Sequence, residues 1–196
     1  MSEMKSALER AMEKAEALGE ASEEDLCKWK YLPEGERLAA RYLKGEANLI
    51  AELSQYDETA REYVVDGARA ILLRGIDLPR NESAKAANRR AMEGVKALKK
   101  DNVVVENVYT KMRRLFNHYE QEGEQQRRHA YEDLKADFEQ RVQRAIQQQT
   151  GTLGRVNVNV EGQPQFREEW RKTLVQLDSQ YYELLDEYKQ ELLATP

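Results

Sequence analysis

The sequence predicts an all-α fold, and three observations carry that prediction. Apolar residues recur at spacings of three and four along most of the 196 residues. Helix start and stop signals punctuate those runs at the expected places. Two long runs, 103–149 and 165–193, keep a coiled-coil-like apolar seam. The expected architecture is a helical bundle of N-terminal helices, 1–100, packed on the base of a long antiparallel two-helix hairpin, 101–196. A connector at 150–164 forms its short extended or β-hairpin tip, and the two regions are expected to act as one cooperative unit.

The first stretch, Ser2 to Leu18, places Leu8, Ala11, Met12, Ala15 and Leu18 on one helical stripe and is closed by Gly19. Ser22, with Asp25 three residues on, starts a second helix, which Pro33 is expected to stop after Leu32. A further helical run covers Glu34 to Leu43, and the chain pauses at Gly45. From Glu46 to Arg74 the pattern is helical again, with Asp57 as an internal restart. Tyr63 to Leu73 is the most apolar segment, the candidate for a central buried helix and too short to span a bilayer. Gly75 and Pro79 end it, and Asn81 caps a helix running to about Lys100.

Asp101-Asn102 precedes the long run. Val105, Val108, Met112, Leu115 and Tyr119 keep a 3-4-3-4 rhythm that lapses over Glu120 to His129 and returns at Tyr131, Leu134, Phe138, Val142 and Ala145. The last run carries Phe166, Trp170, Leu174, Leu177, Tyr181, Leu184, Tyr188 and Leu192 on one stripe. At about 1.5 Å per residue the two helices extend roughly 70 and 43 Å. If the last helix folds back from about Gln149, it reaches only about Gln121. The heptads Val105 to Tyr119 would then need the N-terminal helices as cover.

Composition bounds the function. Hydrophobic residues make up 40% and charged residues 34% of the chain, and mean hydropathy is −0.86. The segment MSEMKSALER lacks the apolar core of a signal peptide, so a soluble, cytoplasmic protein without a membrane segment is expected. A lone cysteine forms neither an internal disulfide nor, by itself, a zinc site. Cys27, between Leu26 and Lys28, reads as a small, partly buried side chain rather than a nucleophile.

Catalytic and cofactor templates fail in turn. His118 and His129 share a helix face but lie eleven residues apart, about 16 Å, too far for one metal ion. Phosphate-binding glycine loops, the nucleophile elbow and the zinc-protease motif are absent. Gly151-Thr152-Leu153-Gly154 resembles an RNA-binding turn in form only, because an alternating, strand-like Arg155 to Val160 follows it. The expectation is therefore a non-enzyme without metal or cofactor.

Two features invite a functional reading. The net charge of −5 is segregated: residues 1–66 hold nine bases and sixteen acids, 67–135 fifteen and ten, and 136–196 seven and ten. The basic middle focuses on Lys85, Arg89, Lys96, Lys99 and Lys100, which fall within about 100° of one another on a helix, opposite Ala87, Ala91, Gly94, Val95 and Leu98. Val156, Val158 and Val160 point to one side of the connector, which is expected to pair locally as a short hairpin in preference to the same segment of a second chain or a partner by strand addition. The sequence thus predicts a helical protein–protein interaction or scaffold protein that self-associates and binds a protein partner. The alternative is an anion-binding module in which the basic stripe engages an acidic protein or nucleic acid. The stripe offers no aromatic residue for base stacking, so nucleic acid is the less favoured ligand.

Overall fold

The computed structural model describes residues 22–150 and 159–195. The described residues form six helices and no strand: α1 (Glu23–Lys44), α2 (Leu49–Leu53), α3 (Glu58–Arg74), α4 (Glu82–Leu98), α5 (Asn102–Thr150) and α6 (Pro164–Ala194). They divide into two compact units. One holds 22–76 with Arg89–Leu98; the other holds Asp77–Asn88 with 99–195. Helix α4 therefore contributes to both. The predicted helix at 2–18 lies outside the described residues.

In the first unit α1 packs along α3. Ser22 caps α1 by accepting the Asp25 N–H, and Gly45, at φ +89°, ends it in the left-handed conformation that glycine adopts without penalty. The expected stop at Pro33 does not occur, for α1 runs straight through it. Proline removes the N–H that would bond the Trp29 carbonyl, a cost of about 3 kcal/mol in a helix interior. Tertiary packing overrides that cost at Gly35 and Gly67. A Cβ on Gly35 would overlap the Val64 carbonyl oxygen, and one on Gly67 the Leu32 carbonyl oxygen. The two backbones touch there, and burial of Leu38, Ala39, Val64, Ala68 and Leu72 holds the pair together.

The run 46–74 is two helices rather than one. Asn48 caps α2 through the Ala51 N–H, and Asp57 restarts the chain by accepting the Ala60 N–H. The apolar Tyr63–Leu73 segment is the buried helix the sequence predicts. Ala91, Gly94 and Val95 on the later part of α4 are buried, with Gly94 against the Tyr42 ring and Leu72. Arg90 donates to the Tyr42 carbonyl and lies over the Tyr42 ring.

In the second unit Asn81 caps α4 through the Ala84 N–H, and α4 ends at Leu98, two residues short of the expected Lys100. Asn88 accepts the Asp77 N–H and donates to the Asp77 carbonyl, so its amide substitutes for a backbone partner across the loop before α4. Helices α5 and α6 pack with opposite sense: Lys111 pairs with Glu191, Tyr131 stacks edge-on against Trp170, and Arg141 pairs with Glu169.

That register corrects the expected overlap. Helix α6 begins opposite Phe138 rather than at the end of α5, because Val160 and Phe166 pack with Phe138 beside Tyr131, Leu134 and Val142. Starting further back, α6 reaches Lys111 and runs alongside the heptads assigned above to the N-terminal helices alone.

Candidate functional site

The five basic residues singled out from the sequence have different surroundings. Lys85 pairs with Glu82 and Glu120, which hold its ammonium protonated by accepting from it. Lys99 is buried and donates to the Thr195 carbonyl, and both Lys99 and Lys100 lie beyond the end of α4. Arg89 and Lys100 are exposed and Lys96 half-buried; Ala87, assigned to the apolar face, is exposed, and Asn88 beside it is buried. The stripe is thus not five solvated cations on one helix. Of the connector valines, Val156 and Val158 lie outside the described residues. Val160 is 2% exposed within the Phe138–Phe166 cluster, so it is core and not a presented tip. The described end of the connector is a turn, with Gln163 N–H donating to the Val160 carbonyl, and not a strand.

His118 Nδ1 lies 3.0 Å from the Tyr181 hydroxyl, and His129 is exposed. Among the described residues no three histidine, cysteine, aspartate or glutamate side chains are grouped to hold a metal ion. Cys27 is half-buried.

The most unusual chemistry in the second unit sits where the seam of α5 lapses. Gly123 is buried there and leaves room for Tyr181, whose hydroxyl a Cβ at that position would approach to 3.1 Å. Asp178 enters the same gap from α6 with a side chain only 7% exposed. Its Oδ2 accepts from Arg80 Nη2 at 3.0 Å and from the Tyr119 hydroxyl at 3.4 Å. Its Oδ1 accepts no hydrogen bond among the described residues, while Arg127 Nη1 stands 3.8 Å away. Arg127 also lies over the Tyr119 ring at 4.1 Å and donates to the Tyr119 carbonyl.

Burial raises the Tyr119 phenol above its ordinary range, and the Asp178 charge adds to the rise, so Tyr119 remains a neutral donor. Burial likewise raises Tyr181 and Tyr182. Burial also pulls on Arg80, but Tyr182, Tyr119 and Asp178 outweigh it and hold the guanidinium charged. The cluster is a carboxylate clamped between two arginines. It fixes register between α5, α6 and the segment before α4, because a slip along the seam would leave a buried charge unpaired.

Sequence reading missed Asp178. Its only signal is position: an acid within the apolar stripe of α6 in a stretch facing the lapse that holds Arg127.

Two surfaces stand out by exposure. On α1, Leu26 and Trp29 are three residues apart on one face and 54% and 68% exposed. Between α5 and α6 runs a groove lined by Leu115, Gln126, Gln176, Leu177, Gln180 and Leu184 among others, with no lysine, arginine, aspartate or glutamate in its lining.

Fold and cluster together define an all-helical protein with a polar lock set into a two-helix seam, and no helix among the described residues is long and apolar enough to cross a membrane. The chain belongs to a family of unknown function, DUF6657, whose match covers residues 50–194. No curated protein and no solved structure matches it.

Proposed function

We propose that this protein is a non-catalytic helical interaction or scaffold protein that self-associates and engages a protein partner. The finer architecture, N-terminal helices set on the base of a long two-helix hairpin, is part of that proposal. The observation that carries it is the Leu26–Trp29 face. Tryptophan is among the residues that most often dominate binding energy at protein interfaces, and one left 68% exposed beside a leucine 54% exposed is costly to keep in water. The anion-binding alternative draws less support, since Lys85 and Lys99 already serve acceptors within the protein.

The test is affinity purification of the native complex with wild-type protein and with a Leu26→Asp/Trp29→Ala variant. Both positions are exposed, so helix content should be unchanged. The expected result is a co-purifying protein present in stoichiometric amount with wild type and lost with the variant. Equal recovery with both, or none with either, overturns the partner-binding face.

A further inference from the structure

We infer that, in the chain without its partner, residues 2–18 fold back antiparallel along α1 and cover the Leu26–Trp29 face. The inference deepens the partner-binding reading, on which its regulatory half rests: a partner reaches the face only by displacing that segment.

The way the chain enters α1 is the first argument. Ser22 is extended, at φ −62° and ψ 155°, and caps α1 with its side chain, so α1 starts there and does not continue a helix from before it. With Ser22 at the N-cap and Leu26 at N4, Ala21 holds the position whose side chain packs on N4 and sets the entry angle of the chain. The apolar stripe read from the sequence, Leu8 to Leu18, closes at Gly19. Only residues 19–22 then join it to α1, a length at which consecutive helices lie antiparallel and side by side.

Register is the second. Helix α1 turns Gly35, Leu38 and Ala39 inward, and Leu26, Trp29, Pro33 and Ala40 lie along its other side. Setting Leu18 against Leu26 brings Ala15 opposite Trp29, Ala11 opposite Pro33 and Met4 opposite Ala40. Residues 4–18 and 26–40 each advance about 21 Å, so the two stripes match end to end. A small residue faces the indole, the large-on-small pairing that lets facing helices interdigitate. Glu16 then lies beside Lys30 and Glu9 beside Arg37, both exposed on α1. Lys5 approaches Arg41, whose guanidinium already donates two hydrogen bonds to Glu52.

Area is the third. At 68% exposure Trp29 offers about 150 Å², and Leu26 adds to it. A free partner needs about 800 Å² a side and so must use flanking surface as well. A tethered segment has already lost most of its translational freedom, and the small patch is enough to hold it.

Acrylamide quenching of Trp29 tests this in the full chain carrying Trp170→Phe, which leaves Trp29 as the one tryptophan. The expected result is a shielded, blue-shifted emission that does not change with protein concentration. Ala11→Glu with Ala15→Glu sets carboxylates against Pro33 and Trp29 and should raise the quenching constant about threefold, toward that of an indole left in water. Added at about 1 mM, the effective concentration that a short tether supplies, a peptide of residues 1–21 should restore the shielding, which a misfolded variant would not regain. The glutamate variant should also recover more of the co-purifying partner than wild type, and no rise overturns the regulatory half.

A Trp29 quenched as freely in the wild-type segment's presence as in the glutamate variant, shielding that grows with concentration, or a peptide that restores nothing overturns the inference. Shielding in a chain with which no protein co-purifies leaves it standing and overturns the partner-binding face. A partner captured by a chain whose Trp29 is open when alone does the reverse.

Discussion

Truncating Asp178 to alanine should destabilise the second unit by about 3 kcal/mol, and the structure says why. Coulomb's law at an effective dielectric of about 20 gives roughly 4 kcal/mol for the Arg127 contact at 3.8 Å and about 5.5 kcal/mol for Arg80 at 3.0 Å. The Arg80 side chain is 54% exposed, so solvent screens that contact to about 1 kcal/mol or less. Arg127 is different. Its side chain is 17% exposed, and Asp178→Ala leaves its guanidinium in the seam without a carboxylate. Truncating one partner of a buried pair costs about 3–5 kcal/mol, and the low end applies because Tyr119 still offers its ring and carbonyl.

Replacing both groups, Asp178→Leu with Arg127→Met, removes the charges together and should return stability to within about 1 kcal/mol of wild type or above it. Urea unfolding followed by Trp170 fluorescence in a Trp29→Phe background reads this unit, since Trp170 packs on Tyr131 between α5 and α6. A loss below about 1 kcal/mol for Asp178→Ala, or a double variant whose loss is the simple sum of the singles, would refute the buried-clamp account.

Three further outcomes follow from the packing and the charges. Gly35→Ala should cost about 3 kcal/mol by forcing the α1 and α3 backbones apart, whereas Gly162→Ala, whose Cβ would meet nothing nearer than 3.4 Å, should change stability by less than about 0.5 kcal/mol; thermal melts compare the two. Pro33→Ala should stabilise the first unit by about 2 kcal/mol, because the backbone bond to Trp29 is regained at a smaller cost in unfolded-state entropy, and an unchanged or lowered midpoint would contradict this.

Glu161 and Glu169 are held below the ordinary glutamate value of 4.5 by Lys135 and Arg141 respectively. A depressed folded-state value means their stabilisation is fully present above about pH 4.5 and is lost as pH falls through the folded-state values. The melting temperature should therefore drop more steeply in that window for wild type than for Glu161→Gln/Glu169→Gln.

Local signals in this chain are legible where the physics is local. Ser22, Asp57 and Asn81 cap helices as their side chains suggest, Gly45 ends one, and the 3-4 rhythm from Val105 to Tyr119 turns inward along α5. What fails to show depends on partners distant in sequence. Pro33 reads as a stop because nothing nearby reveals that Gly35 will rest on Val64. Val160 reads as a tip because alternation cannot say that the chain doubles back onto Phe138. Asp178 reads as one more surface acid until Arg80 and Arg127 are known to converge on it. On α6 the stripe prediction placed Leu184 inward, whereas Leu185 is the residue that is buried. One residue of rotation there is what opens the groove.

The division of α4 between two units has a consequence for how the protein is made. No single cut in the chain separates the units, because residues 77–88 belong with a helix that ends more than a hundred positions later. Arg80 and its carboxylate are 98 residues apart. At ribosomal rates of about 5–20 residues per second, Arg80 leaves the peptidyl-transferase centre about 5–20 s before Asp178 has been added. The first unit has its full complement of residues once Leu98 has emerged, while the second waits until the helix Pro164–Ala194 has been added.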